Sequence, residues 1–343
     1  MAVYTAVDDA GLFFNPVLYT GTGSELAVTG VGFQPDMTWI KARSIIKNHY
    51  LYDTVRGATK NLAPNDTDAE GTTAQGLKSW QSDGFTLGTS GGENDSSQTY
   101  VAWNWIMGTT TGIAGSPSIT PSSYSFNATA GQSVIAYTGT GVAATLPHGL
   151  GVTPGLIMCK RLNGGDNWWV HVKSMTGPQY LVLNGTGAVA TATAVWNDTL
   201  PTSTLFSIGT DAGINASGGT YIAYCFAPIK GYSKFGVYTG NGNIDGPFVY
   251  TGFRPAMIIR KKNGTDGWML VDNKRLGYNP NNAYLFPDAN QAESDITRID
   301  LLSNGFKLRT TDAGDNGAGT DYLYMAWAES PLVNSEGVPT NAR

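Results

Sequence analysis

The sequence predicts an all-β protein made of three tandem antiparallel β-sandwich, jelly-roll-like domains. Three observations predict it: four short motifs recur three times in the same order, every recurrence reads as strand or turn, and no stretch carries an i, i+3, i+4, i+7 apolar pattern. A chain of 343 residues suits two or three domains, because cores larger than about 100–150 residues tend to split.

The first motif is Tyr19-Thr20-Gly21-Thr22-Gly23, recurring as Tyr137-Thr138-Gly139-Thr140-Gly141 and Tyr238-Thr239-Gly240-Asn241-Gly242. The second is Gly32-Phe33-Gln34-Pro35, then Gly151-Val152-Thr153-Pro154 and Gly252-Phe253-Arg254-Pro255, followed by MTWIKAR, LIMCKR and MIIRKK. Those runs are short, apolar and partly β-branched, with Pro at the strand entrance where a missing N–H does no harm. The third motif, FTLGT, FSIGT and FKLRT from Phe85, Phe206 and Phe306, alternates with period two as a half-buried strand must. Asp83-Gly84 and Asn304-Gly305 precede two of its copies, and such dipeptides supply the positive φ that tight hairpins require. The fourth motif is Tyr100-Val-Ala-Trp103, Tyr221-Ile-Ala-Tyr224 and Tyr324-Met-Ala-Trp327. Spans of 81, 84 and 86 residues separate Tyr19 from Tyr100, Tyr137 from Tyr221 and Tyr238 from Tyr324, so register is held across each copy.

These landmarks place repeat one at residues 1–108, repeat two at 131–230 and repeat three at 231–332, with a polar tail at 333–343. Residues 109–130 are rich in Pro, Ser, Thr and Gly and read as an extended connector that leaves repeat one to its own orientation. Repeats two and three join almost directly through Ala227–Gly231 and are expected to form a stiffer pair.

Composition narrows the function. Charged residues make up 14% of the chain and aromatics 11%, which is a folding composition with a neutral polar surface rather than a disordered one. Net charge is -5 with no basic stripe, so no nucleic-acid partner is expected. No stretch nears 18 uncharged apolar residues, and MAVYTAVDDA has no signal-peptide form, so a soluble protein made in a cytoplasm, without a membrane partner, is expected. Cys159 and Cys225 read as small buried apolar residues, not as a disulfide framework.

Chemistry-bearing motifs are sparse. His49, His148 and His171 have no counterparts in the other copies and read as surface or partly buried polar residues. Gly88-Thr89-Ser90-Gly91-Gly92 matches G-x-S-x-G but leads into a Gly-rich loop and a strand, not a helix, so no catalytic residue is assigned. Asp312, Asp315, Asn316 and Asp321 are oxygen ligands of the kind calcium takes, yet their spacing is not that of an EF-hand. They read as solvated turn residues, and neither a metal nor a cofactor is expected. Most Trp residues fall inside predicted strands; Trp80 and Trp196 stand just ahead of the third motif, are less easily placed, and are the candidates for contact with a glycan. Lys41, Arg43, Lys160, Arg161, Arg260 and Lys261, with Lys262, share one strand end across the copies and are candidates for a solvated strand end or a contact with another subunit.

YTGTG with GFQPDMTWIKAR, DTVRG and SDGFTLGT, together with SFNATAGQSVIAYTGTG, LPHGLGVTPGLIMCKR, YIAYCFAPIKGYSKFG and YTGNG, resembles a group of tailed-bacteriophage virion proteins across nearly the whole chain. Members are described as structural, tail-fibre-like or head-decorating. The resemblance implies a non-catalytic surface component of the virion, a capsid decoration or cement or a tail-fibre-like part, with major capsid or tail proteins as partners and a homo-oligomer as one form of assembly. It supplies no catalytic residues, and the chain has no coiled-coil or β-helical shaft. The alternative reading is an adhesin module that binds a host surface glycan; a polysaccharide hydrolase would need a pair of carboxylates that sequence cannot place.

Overall fold

The structure, a computed structural model, describes residues 5–275, 279 and 281–340. It is all-β: strands hold 42% of the chain and helices 5%, and every sheet is antiparallel. Repeat one contains β1 (Phe14–Thr20), β2 (Leu26–Val28), β3 (Met37–Ala42), β4 (Tyr50–Asp53), β5 (Lys60–Asn61), β6 (Gly71–Thr72), β7 (Leu77–Gln81), β8 (Gly84–Leu87) and β9 (Thr99–Trp105). Repeat two contains β10 (Ser123–Asn127), β11 (Gln132–Thr138), β12 (Ala144–Pro147), β13 (Leu156–Arg161), β14 (Trp169–Val172), β15 (Gln179–Val182), β16 (Ala190–Thr191), β17 (Leu205–Ile208) and β18 (Thr220–Phe226). Repeat three contains β19 (Ser233–Thr239), β20 (Phe248–Tyr250), β21 (Phe253–Lys262), β22 (Trp268–Asp272), β23 (Asn281–Tyr284), β24 (Ser294–Leu302), β25 (Gly305–Leu308) and β26 (Asp321–Pro331).

One strand order recurs. The sheets β1-β9-β3-β4, β11-β18-β13-β14 and β19-β26-β21-β22 share one topology, and a second sheet starts β2-β8, β12-β17 and β20-β25. The four sequence motifs are thus the framework of each repeat. The first Tyr of each stacks on the last: Tyr19 on Tyr100 at 5.0 Å, Tyr137 on Tyr221 at 5.1 Å and Tyr238 on Tyr322 at 5.0 Å. The register therefore corrects the fourth motif of repeat three, which begins at Tyr322 and not at Tyr324. A slip of two residues keeps every side chain on its face, so alternation alone could not detect it.

The Gly-rich ends are equally alike. A Cβ on Gly21, Gly139 or Gly240 would meet a backbone oxygen at 2.2, 2.4 and 2.4 Å, while Gly23, Gly141 and Gly242 have φ of +70°, +76° and +67°. Both glycines of the YTGxG motif are thereby explained, the first by close approach and the second by left-handed backbone. Across from them Asn94, Asn215 and Asn316 are fully buried; each accepts from the backbone N–H of the fourth residue of the motif and donates to the carbonyls of Gly88, Gly209 and Thr310. These asparagines are not the solvated turn residues expected from sequence.

The core departs most from expectation. Alternate residues of β9 face different interiors: Tyr100 and Ala102 pack within repeat one, whereas Val101, Trp103 and Trp105 enter a central cluster shared with Ile222, Tyr224 and Phe226 of β18 and with Leu323, Met325 and Trp327 of β26. Trp105, Phe226 and Trp327, equivalent positions in the corrected register, form a triangle with ring centroids 6.0, 5.9 and 5.3 Å apart. Repeat one does not take an orientation of its own; all three repeats pack on one core. Nor are residues 109–130 a plain connector. They contain β10, which extends the sheet of repeat two, and Ile119 donates to Thr145 O on the edge of β12.

Candidate functional site: the joints between repeats

Each repeat meets the next through equivalent atoms. Between repeats two and one, Trp168 Nε1 donates to Ala63 O at 2.9 Å, Asp166 N to Thr67 O and Glu70 N to Leu162 O. Between three and two, Trp268 Nε1 donates to Val182 O at 3.0 Å, Asp266 N to Thr186 O and Val189 N to Asn263 O. Between one and three, His49 Nε2 bonds Phe286 O at 2.9 Å, Lys47 N donates to Asn290 O and Glu293 N to Arg43 O. The same head-to-tail contact made three times closes a ring, so the repeats are related by an approximate threefold rotation.

The side chains behind this backbone frame differ from joint to joint. At the two–one joint Arg56 Nε sits 2.6 Å from Asp53 Oδ2, Tyr224 of repeat two donates its hydroxyl to Asp53 at 2.7 Å, and Glu70 lies 3.5 Å from Arg56. At the one–three joint Arg275 pairs with Asp272 at 2.7 Å and Glu293 at 3.0 Å, Trp103 Nε1 of repeat one donates to Asp272 at 3.0 Å, and Arg43 clamps Glu293 with two hydrogen bonds of 2.9 Å. Burial of these Asp–Arg pairs is tolerable because each carboxylate also accepts backbone N–H bonds from its own Arg turn. At the three–two joint the corresponding residues are Val172, Met175, Val189 and Met325, with no charge among them.

The candidate contact residues are consumed here. Lys41, Lys160 and Lys261 occupy one register position and are fully buried; Lys160 Nζ reaches across the joint to Thr67 O at 3.0 Å, while Lys41 and Lys261 bond carbonyls of their own repeats. Burial holds all three ammoniums down to about 8. Arg43 belongs to the one–three clamp. Arg260 is buried against Asp315 and Tyr284 inside repeat three, where Ile40 and Cys159 stand in the others. Of the six, Arg161 alone is left at the rim, 3.2 Å from Asn163. A solvated strand end and a subunit contact through the lysines and Arg260 are both excluded by this burial.

The two glycan candidates differ: Trp80 lies in β7 and keeps part of its surface, whereas Trp196 does not. Trp196 is 2% exposed and packs edge-on against His171 in the core of repeat two, and Trp80 is half-buried against the core of repeat one. The histidines are also inside: His49, His148 and His171 are all buried, with pKa values pushed down by desolvation, the latter two to about 4. In the acidic loop Asp312 and Asp315 pair with Arg298, and Asp321 accepts from Thr239. Among the described residues no cluster of three or more His, Cys, Asp or Glu could hold a metal ion, and no helix is long and apolar enough to cross a membrane. Cys159 and Cys225 are buried free thiols.

A family model described as a domain of unknown function, DUF7483, matches residues 9–331. The chain belongs to that family. The match spans all three repeats, so the family unit coincides with the closed ring rather than with one repeat. Neither the curated proteins nor the solved structures include a match to the chain.

The joints were missed in the sequence, yet two signals marked them. Asp53-x-x-Arg56 and Asp272-x-x-Arg275 repeat one pattern after the second motif, and YVAWNW, YIAYCF and YLYMAW are continuous apolar runs. A strand with one solvated face alternates; a continuous run is buried on both faces.

Proposed function

We propose that this chain is a non-catalytic structural component of a tailed-phage virion, displayed on the particle surface as a capsid decoration or cement or as a tail-fibre-like part, with each repeat a jelly-roll-like β-sandwich. The observation that carries the reading is where the ionisable groups go. Buried Asp53, Arg56, Asp272 and Arg275 pair at two of the joints, Arg260 and Asp315 pair inside repeat three, and the buried lysines bond backbone carbonyls, which is chemistry spent on shape. The sequence resemblance points to the same class, and a low-charge, neutral polar surface suits a displayed scaffold. Its partners are then the major capsid or tail proteins.

Quantitative mass spectrometry and cryo-microscopy of purified particles test this: the chain is expected at fixed stoichiometry, with a three-lobed density outside the shell or on the tail. Absence from purified particles overturns the placement. Release of product from host polysaccharide by the purified chain overturns the non-catalytic part.

A further inference from the structure

On the edge strand β20, Phe248 and Tyr250 point to the same side, 45% and 52% exposed, while Val249 between them is buried. Pairing with β25 fixes their counterparts. Val249 opposes Phe306 as Val28 opposes Phe85 and Leu146 opposes Phe206, so the inward position is apolar in all three repeats. The outward positions are Ala27 and Thr29 in repeat one and Thr145 and Pro147 in repeat two, where the segment at Ser118 and Ile119 covers the edge. The shared fold therefore needs no aromatic ring there. Repeat three alone sets two large rings in water, on an edge nothing in the described chain covers in that way.

Beside Tyr250 lies a cleft of about 330 Å³, walled by the inter-repeat segment at Lys230, by Ser233 and Lys234 of β19, by Thr251 and by Leu332. Lys234 Nζ stands 5.1 Å from the centre of the Tyr250 ring and donates to the Tyr250 carbonyl at 2.7 Å. Lys230 and Lys234 are among the residues that line the cleft, and among the described residues no carboxylate is. Lys234 is as private as the rings: its counterparts are Asn15 and Ser133.

We propose that this cleft and the β20 rings bind a carboxylated glycan. Aromatic faces take the C–H faces of pyranose rings, and the Lys234 ammonium takes a carboxylate. A phosphate backbone fits less well, since a chain of net charge -5 offers no basic track to follow one. The site is separate from the virion reading, because it is tested on the isolated chain and stands or falls there.

The experiment is calorimetric titration of the purified chain with hexamers of galacturonate and of mannuronate, beside maltohexaose and a single-stranded hexanucleotide. Saturable binding is expected for at least one uronate, with little for maltohexaose, and about tenfold weakening in Tyr250→Ala and in Lys234→Met. Both side chains lie outside the core, so melting midpoints should hold; Phe248→Ser gives a third, independent variant. No saturation with either uronate, equal affinity for the hexanucleotide, or unchanged affinity in all three variants overturns the proposal. Loss of particle binding in Tyr250→Ala without uronate binding assigns the patch to a protein partner and likewise overturns it.

Discussion

The two–one joint and the three–two joint use the same backbone hydrogen bonds, yet one buries Asp53, Arg56 and Glu70 under Tyr224 and the other sets Val172, Met175 and Val189 against the Met325 position. The comparison teaches that the main chain makes the ring and the side chains decide which repeat follows which. A buried ion pair adds little net stability over an apolar set of similar volume, but half of one is costly. Repeat three offers Met325 where Tyr224 donates to Asp53, so repeat three cannot replace repeat two against repeat one without removing a hydrogen bond from a buried carboxylate.

Removing one partner breaks the comparison hardest. Arg56→Met leaves the Asp53 charge buried with only Tyr224 and a backbone N–H as partners and should cost about 3–5 kcal/mol in urea unfolding. Retention of parental stability would show that water reaches the carboxylate.

Acid sharpens the contrast at the remaining joint. Trp168 and Trp268 donate across their joints and cannot titrate, but His49 stands at the third. Trp39 Nε1 donates to His49 Nδ1 at 2.8 Å, so Nε2 must carry the proton given to Phe286 O. An imidazolium would turn N–H against N–H, with Lys41 and Arg275 adding repulsion. Because the folded pKa lies well below the unfolded 6.5, the folded state binds fewer protons and stability falls as pH drops below about 6.5. Hydrogen exchange should show the Glu293 and Lys47 amides losing about tenfold protection in this range, corrected for intrinsic rate, before Val189 and Asp266 do. In His49→Trp that difference should vanish.

The lysines act in the same direction at higher pH. Their folded values of about 8 lie below the ordinary 10.5, so between pH 8 and 9 the unfolded chain holds more protons and stability rises with pH. Lys160→Met should flatten that rise in a series of melting midpoints; an unchanged slope would mean the ammonium is solvated. The smallest effect is expected from the full exchange of one joint for another. Asp53→Val, Arg56→Met, Glu70→Val and Tyr224→Met together should return stability to within about 1–2 kcal/mol of the parent, and a loss as large as that of Arg56→Met alone would refute the equivalence of the joints.

The repeat, the strand positions that its motifs mark and the turn glycines were legible because they rest on local rules: period-two alternation, positive φ, proline at a strand entrance. YTGxG could be assigned to a turn from sequence, and its glycines do what the rules require. The register of Tyr322 was not legible, since a two-residue slip conserves facing, and neither was the burial of Lys41, Lys160 and Lys261, because a lysine at a strand end ordinarily points to water. Trp196 misled for the converse reason: it lies outside the strands on a single helical turn, yet its ring is in the core.

By itself, then, the sequence determined that this is a threefold-repeated antiparallel β chain with a neutral surface. Only the tertiary structure decided that the repeats close into a ring, that Trp105, Phe226 and Trp327 meet at its centre, and that Lys41, Lys160 and Lys261 are buried on backbone carbonyls instead of facing solvent. Alternation and turn chemistry act over a few residues, whereas the joints join positions about a hundred or more residues apart, such as Trp168 with Ala63 and Trp103 with Asp272, whose partners no local pattern can name.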